Sequence, residues 1–307
     1  MNAIQIILCA LVILTLYFLY IFGKDYLKAK REDRLEKEEK FWAFAIVGLV
    51  VNFFDTLGVG SFALSTSTFK IGKMMNDKLI PGTLNVATTT SVVTEALIFM
   101  TIVKVDILTL VLMIAFSMLG AYFGAGIVSK LPEKKIQLAM GTALVAVALL
   151  MLCGFLEVFP MEGKLIGLTG IKLAIGCGVC FVLGITNCVG IGMYAPIMAL
   201  SFALGLSPLV AFPLMMGSTA FLQPICSVKF IKEGVYHRKA SLAFSIFGVI
   251  GVLIAAYIVK SLPIDILKRV VFVVVLYTSA TMFRSALKKN KSTQENKVQS
   301  NKIIESN

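Results

Sequence analysis

The sequence predicts an all-α polytopic integral membrane protein with two inverted repeats, each starting with a broken or re-entrant helix hairpin, plus an extra N-terminal transmembrane helix. Of its 307 residues, 58% are hydrophobic, and the mean hydropathy is +0.90, whereas a soluble domain is about 45–50% apolar. The apolar residues form long runs separated by short basic segments. Two of these runs contain a polar, glycine-containing interruption, about 130 residues apart.

The first segments of the chain are an anchor and a charged linker. Residues 1–22 are apolar enough to span a bilayer and have no basic segment in front, so we expect a retained helix and not a signal peptide. Residues 23–40 hold seven basic residues, and Asp33 and Lys37 have the i,i+4 spacing that favours a surface helix. At the other end, residues 288–307 are polar and predict a disordered tail.

Between these ends we expect two transmembrane repeats, over residues 41–158 and 165–287. The apolar runs of the first are Phe41–Gly72, Ile80–Val103, Ile107–Ser129 and Ile136–Val158, and those of the second are Leu165–Leu204, Pro208–Ile231, Ala240–Leu262 and Ile264–Leu287. Seven residues in or just after the third run recur at a constant offset of 131, which indicates duplication. They are Phe116, Gly120, Ala125, Ile127, Val128, Leu131 and Pro132, matched by Phe247, Gly251, Ala256, Ile258, Val259, Leu262 and Pro263.

The first run of each repeat is interrupted at a matching place. Asp55, Gly58 and Gly60 in the first repeat correspond to Asn187, Gly190 and Gly192 in the second. Interrupted backbone inside a membrane must be buried in protein or line a cavity, because its freed N–H and C=O groups need partners. Paired interruptions in two halves indicate the binding site of a transporter.

The distribution of basic residues favours hairpins over single crossings. If each interrupted run returns to its own side, 23 Lys and Arg residues lie on the cytoplasmic side and 6 outside; if each crosses once, the split is 20 to 9. The positive-inside rule therefore favours hairpins, which make the repeats inverted. It also predicts a multi-pass protein of the cytoplasmic (inner) membrane, with the N-terminus outside and the C-terminus cytoplasmic.

These features resemble a known family of bacterial permeases. The duplicated four-segment unit, the run from Pro81 to Ser91 and the pairs Leu131-Pro132 and Leu262-Pro263 look like the sulfite exporter TauE/SafE family. The resemblance covers about Phe41 to Leu287. It implies a secondary transporter of small anions, typically sulfite or organosulfonates, with export as the expected direction. The anchor and linker before Phe41 look like additions to this core.

The residues favour anion binding in their own right. A helix that starts at the membrane midplane points backbone N–H groups and a positive dipole end into the site. Small polar side chains nearby supply further donors, which suits an ion with three oxygens. The candidate substrate-binding residues are Gly58, Gly60, Ser61, Thr88, Thr89, Thr90, Ser91, Asn187, Gly190, Gly192, Ser218, Thr219 and Gln223. The alternative role for the small hydroxyl residues is close helix packing.

Asp55 and Glu95 are the candidates for proton coupling. Both are acidic residues well inside apolar runs, where a charge costs at least about 2–3 kcal/mol, so intramembrane carboxylates indicate function. The alternatives are a neutral hydrogen-bonded acid or an ion pair with a lysine such as Lys70. Asp55 corresponds to Asn187, which does not titrate, so a proton site here is asymmetric.

A thiol-redox conduit is the alternative from another functional class. Cys177 and Cys180 have redox or metal spacing, but no histidine lies beside them. The matching residues of the first repeat are Ala45 and Gly48, whereas a relay with two halves needs a cysteine in each. Packing is therefore the favoured role of this pair.

The sequence contains no Walker loop, zinc-binding helix or nucleophile elbow, so we expect neither an enzyme nor a cofactor or metal site. The net charge of +12 comes from segments that flank membrane spans, and so predicts topology and not nucleic-acid binding. The expected partners are a small anion, the lipid bilayer and protons.

Overall fold

The computed structural model describes residues 3–36, 40–57, 60–156 and 163–258, together with residues 276, 280, 283, 284 and 287. Gly58, most of the run Ile264–Leu287 and the predicted tail at 288–307 lie outside the described residues. The described chain is all-helical, as predicted. Its α-helices are α1 (Ala3–Arg31), α2 (Phe41–Thr56), α3 (Ser61–Ile71), α4 (Ile80–Ile102), α5 (Ile107–Val128), α6 (Glu133–Phe155), α7 (Gly170–Asn187), α8 (Tyr194–Leu204), α9 (Pro208–Glu233) and α10 (Arg238–Ile258).

Six of these helices are long and apolar enough to cross a membrane, namely α1, α4, α5, α7, α9 and α10. In contrast, α3 and α8 have 11 residues each. At 1.5 Å per residue they reach about 17 Å, roughly half of a bilayer core. They begin directly after the two interruptions, so each interrupted run is a long helix followed by a half-length one.

Both interrupted runs are hairpins that return to their own side. In the first, the ring of Phe44 near the start of α2 lies 5.9 Å from that of Phe69 near the end of α3. In the second, Lys172 Nζ near the start of α7 donates to the carbonyl oxygen of Leu204, the last residue of α8, at 3.0 Å. The choice of hairpins over single crossings is thus confirmed.

The two hairpins open at opposite ends of α9. Phe44 of the first lies 5.1 Å from the ring of His237, just beyond the C-terminus of α9. Ser207, just before α9 begins, donates its N–H to the carbonyl of Leu165 at the base of the second hairpin, at 2.9 Å. We call these the first-hairpin end and the second-hairpin end of the bundle. The arrangement is consistent with the predicted inverted repeats.

Helix packing follows the same pseudo-symmetry. Each hairpin packs its long helix against the third helix of the other repeat, α2 on α10 and α7 on α5, while α4 and α9 meet at the centre. A Cβ at Gly120 would lie 2.0 Å from the carbonyl oxygen of Phe181, and one at Gly251 would lie 2.2 Å from that of Leu49. These duplicated glycines therefore allow the helix backbones to touch.

The first helix is held against this core by polar contacts at the first-hairpin end. The α1 helix packs on α9 and α4 and continues past residue 22 to Arg31. Asp25 accepts hydrogen bonds from Tyr236 Oη at 2.5 Å and Arg238 Nε at 2.8 Å. Burial, together with the hydrogen bond to Asp25, raises the pKa of the Tyr236 phenol, so it remains a donor at physiological pH.

The prediction of a surface helix around Asp33 is wrong at the start of that helix. The α1 helix ends at Arg31, and Asp33 has a φ of 52°. Nearby, Glu36 accepts from the backbone N–H groups of Arg238 at 2.8 Å and Lys239 at 3.3 Å, which caps α10. This long-range capping competes with the local i,i+4 pairs that favoured a helix.

Candidate functional site

A small cavity lies where the two interruptions meet, with a volume of about 30 Å³. That volume holds one or two water molecules. Its lining comes from both interruptions and from α4 and α9: Asp55, Gly60, Ser61, Phe62, Ala63, Val92, Asn187, Gly192, Met193, Tyr194, Ala195, Thr219 and Gln223. Seven of the residues predicted for binding or coupling therefore lie together, although the two halves are far apart in sequence.

Asp55 joins the end of α2 to the start of α3. Gly60, which has a φ of 91°, turns the chain between the helices at a backbone conformation that favours glycine. The N–H of Ser61 then donates to Asp55 Oδ1 at 2.6 Å. The other carboxylate oxygen, Oδ2, is buried without a hydrogen-bond partner among the described residues. Asp55 thus caps the N-terminus of α3 and leaves one oxygen free at the cavity.

Asn187 occupies the matching place at the end of α7 but does not cap the following helix. Its Nδ2 donates to Asn85 Oδ1 on α4 at 3.0 Å, and its Oδ1 has no partner within the described part of the chain. Within the described residues no side chain caps the backbone N–H groups of α8, whose first residues Tyr194 and Ala195 line the cavity. The start of α8 therefore faces the cavity with its free N–H groups and its positive dipole end.

The α9 side of the cavity provides an amide and a hydroxyl. Gln223 Oε1 lies 3.3 Å from Thr88 Oγ1, which also lies 2.8 Å from the carbonyl oxygen of Leu84, while the buried Nε2 of Gln223 lacks a partner among the described residues. Thr219 lines the cavity beside it and donates to the carbonyl of Met215 at 2.6 Å. Gln223 Nε2 is thus an unused donor at the cavity wall.

Glu95 connects the two interruptions from α4. It is fully buried but does not line the cavity. Its Oε1 lies 2.7 Å from Thr56 Oγ1 at the end of α2, and Tyr194 Oη at the start of α8 donates to Oε2. One side chain therefore holds parts of both hairpins in place.

The other predicted site residues lie around the cavity and not on its wall. Thr89 Oγ1 lies 3.1 Å from Ser227 Oγ of α9, and Thr90 donates to the carbonyl of Ser245 on α10 at 3.0 Å. Gly190 provides a positive φ of 109° in the second interruption. Ser91 and Ser218 are buried at helix contacts, with no partner for either hydroxyl oxygen in the described structure. These residues connect helices behind the site.

Sequence reasoning missed Asn85, Thr56 and Tyr194. Asn85 lies in the polar run that includes Thr88 to Ser91, Thr56 follows Asp55, and Tyr194 comes two residues after Gly192. A polar side chain next to a predicted interruption is a signal that was available for Thr56 and Tyr194, and membership of the polar run is one that was available for Asn85. Their partners lie 39 to 102 residues away, however, and no sequence spacing indicates them.

Lys70 and the cysteines, which the sequence offered as alternative functional residues, make other contacts. Lys70 forms an ion pair with Asp77, so it does not neutralise Asp55. Cys177 and Cys180 are buried free thiols on α7. A different cysteine pair approaches closely: Cys226 Sγ lies 2.8 Å from Cys188 Sγ, which joins the second interruption to α9.

Comparisons with known proteins agree with this architecture. The sequence model of the family described as sulfite exporter TauE/SafE matches residues 2–151 and 172–304. The match begins at residue 2, so it includes α1, which had looked like an addition to the core. A search of the curated proteins finds no match. The solved structures give none either. On the family match, which covers nearly the whole chain, this protein belongs to the sulfite exporter TauE/SafE family of membrane transporters.

Proposed function

We propose that the protein exports a small sulfur-containing anion, such as sulfite or an organosulfonate, across the cytoplasmic membrane by alternating access. The observation that supports this most directly is that α3 and α8 both begin at one buried cavity. A helix N-terminus carries about half a positive charge and has free N–H groups. Two of them attract an anion without a buried lysine or arginine.

The two helix ends have unequal roles in this proposal. Asp55 already occupies the N-terminus of α3 as a built-in anion. The N-terminus of α8 has no such cap, and Asn187, Thr219 and Gln223 surround it with neutral polar groups. The substrate therefore binds at α8, where backbone N–H groups and Gln223 Nε2 donate to its oxygens.

Asp55 supplies the proton coupling. The cavity of about 30 Å³ is too small to hold a second negative charge at low cost next to an ionised Asp55. Protonation removes this repulsion, and Oδ2, which has no partner in the described structure, can then donate to the anion. A proton and an anion thus bind together and travel together.

The membrane potential favours the outward direction for a dianion such as sulfite. Sulfite dianion with one proton still carries one net negative charge. Moving that charge outward from an inside-negative cell is favourable by about 2.3 kcal/mol per 100 mV. The cavity must widen to admit the anion, which calls for movement of the hairpins between two packings, as in other carriers with repeated halves.

The proposed orientation places the first-hairpin end in the cytoplasm. Basic residues crowd this end, from Lys24 to Arg34 at the C-terminal end of α1 and from Lys229 to Lys239 across the end of α9 and the start of α10. At the second-hairpin end the described basic residues are Lys104, Lys164 and Lys172. By the positive-inside rule, the N-terminus is then outside.

The test is uptake of radiolabelled sulfite and sulfoacetate into proteoliposomes, with and without acid outside. For the wild type we expect an inward proton gradient to accelerate the flux. The flux of Asp55→Asn should not depend on the gradient. Asp33→Asn, an exposed change of the same kind in a turn, should behave as the wild type. Absence of wild-type flux for both anions would contradict the substrate class, and unchanged gradient dependence in Asp55→Asn would contradict the coupling role.

A further inference from the structure

A second, larger cavity lies on the outside of the bundle between α1, α5 and α9. Its volume is about 420 Å³, and it shares no lining residue with the candidate site. Aromatic and aliphatic side chains form most of its wall, including Tyr17, Tyr122, Phe123 and Ile225, while Lys229 and Lys232 stand at its edge. We call it the outer groove.

Two residues that line the outer groove, a glycine on α5 and a proline on α9, account for its open volume. Among the described residues, a Cβ at Gly126 on α5 would meet only Lys229 Cε, at 4.0 Å, so the groove floor there is open. Opposite it, α9 carries Pro224 in its interior. A proline lacks the N–H of a regular helix turn and displaces the preceding turn, which changes how closely neighbouring helices pack.

The two lysines give the groove a positively charged end. Lys232 is exposed and has no ion-pair partner in the described structure, while Lys229 Nζ lies 3.1 Å from Glu233 Oε1 with both side chains partly exposed. Exposed i,i+4 pairs of this kind contribute little, so a phosphate can compete with Glu233 for Lys229. Two positive charges face one negative charge, which leaves a net attraction for an anionic group.

We propose that the outer groove binds an anionic glycerophospholipid, with an acyl chain along the aromatic and aliphatic wall and the phosphate at Lys229 and Lys232. The wall is exposed at the bundle surface: Tyr122 is 67% exposed and Phe123 54%. On a membrane-spanning helix such a surface faces lipid tails, and lysines at the helix end lie at headgroup level. The site rests on this charge and shape, and not on the transport proposal.

Native mass spectrometry of the full-length protein, stripped of lipid in detergent, tests the assignment. Phosphatidylglycerol and phosphatidylcholine with the same acyl chains are added back in turn. We expect phosphatidylglycerol to bind at least about tenfold more tightly. Each lysine near anionic headgroups contributes about fivefold in affinity, so Lys229→Gln with Lys232→Gln should weaken binding about 25-fold. Lys73→Gln with Lys78→Gln, at the same end but away from the groove, should leave it unchanged.

A second pair of variants tests the shape of the groove without changing charge. Gly126→Phe fills open space and should abolish retention of the lipid, whereas Gly126→Ala should keep it. Equal binding of the two lipids, or full binding by Gly126→Phe with a folded melting profile, would overturn the proposal. A lipid-free dimer that Gly126→Phe disrupts would also overturn it, because the occupant would then be a second copy of the chain.

Discussion

Asp55 and Asn187 lie at the C-terminal ends of the first helices of the two hairpins, yet their side chains make different contacts. The Asp55 carboxylate reaches forward to the N–H of Ser61, whereas the Asn187 amide reaches sideways to Asn85. Because one is acidic and the other neutral, the proposed mechanism assigns the proton to the Asp55 end of the site and the substrate to the Asn187 end. This asymmetry at single residues is what the proposed coupling depends on.

The hydrogen-bond geometry around Glu95 accommodates a neutral acid. Thr56 Oγ1 lies 2.9 Å from the carbonyl oxygen of Asn52 and 2.7 Å from Glu95 Oε1. A hydroxyl has one hydrogen and so cannot donate to both. If Glu95 is protonated, both contacts can be hydrogen bonds, because the carboxyl group donates to Thr56 and Thr56 donates to the carbonyl oxygen of Asn52. Glu95 would then position the hairpins, while Asp55 carries the proton.

This role predicts different effects for two substitutions of Glu95. Glu95→Gln reproduces the neutral acid, and we expect stability and gradient-dependent transport close to those of the wild type. Glu95→Ala leaves Thr56 and Tyr194 without their buried partner and should lower the free energy of unfolding by about 1–3 kcal/mol. Thermal melting in detergent and transport assays measure both. Loss of gradient dependence in Glu95→Gln would instead make Glu95 a proton carrier.

At the scale of single residues, the sequence predicted the residues of the cavity wall better than the residues that hold them in place. Asp55, Gly60, Asn187 and Gly192 were found because polar residues and glycines interrupt apolar runs, and such interruptions carry a cost in lipid. Gln223 was found from its place after the second interruption. The pairings of Asn85 and Tyr194 depend instead on how α4 is rotated against α7 and α8, which local sequence does not determine.

At the scale of elements, duplicated glycines determine how the hairpins pack. Gly120 and Gly251 occupy matching places on α5 and α10, each against a carbonyl oxygen of the other repeat's long helix. Small residues at such crossings allow close backbone contact, which is a main source of helix association in lipid. Gly120 and Gly251, which are among the residues repeated at an offset of 131, thus make equivalent contacts between helices.

Adding one methyl group at either glycine should separate these helices. A Cβ at 2.0–2.2 Å from a carbonyl oxygen forces a backbone shift, so Gly120→Ala and Gly251→Ala should each cost about 1–3 kcal/mol in stability. Gly178→Ala on α7, where nothing lies within 4 Å of the added Cβ, is the matched control and should be neutral or slightly stabilising. Melting curves in detergent compare the three; equal melting temperatures would show that these contacts do not limit packing.

Most element boundaries followed from apolar runs, because a membrane requires each run to be helical and of defined length. The run Ile107–Ser129 became α5 at Ile107–Val128, and Pro208–Ile231 became α9 at Pro208–Glu233. The linker was different, since the path of the chain after Arg31 depends on Glu36 capping α10. Contacts between distant segments are not visible in local charge spacing.

For the whole molecule, the hairpins open at opposite ends of α9, and the basic residues accumulate at one of those ends. This predicts the orientation in the membrane. A cysteine placed at Glu233, the exposed last residue of α9, should react with an impermeant maleimide only from the cytoplasmic side, and one placed at Lys164 only from outside. Both variants are made without the six native cysteines. Reaction of both from one side would contradict the hairpin topology, and reversed labelling would contradict the orientation.

The central claim is that the anion binds at the uncapped N-terminus of α8, between the two hairpins. The most direct test is sulfite flux in proteoliposomes for Asn187→Asp, which would add a carboxylate to the cavity wall beside the start of α8. Asn76→Asp is the matched control, because it adds the same charge in an exposed turn whose cap an aspartate can maintain. We predict that Asn187→Asp folds but loses sulfite flux at least tenfold, while Asn76→Asp retains it. Wild-type flux in a folded Asn187→Asp protein would contradict the account, since the substrate would then bind elsewhere.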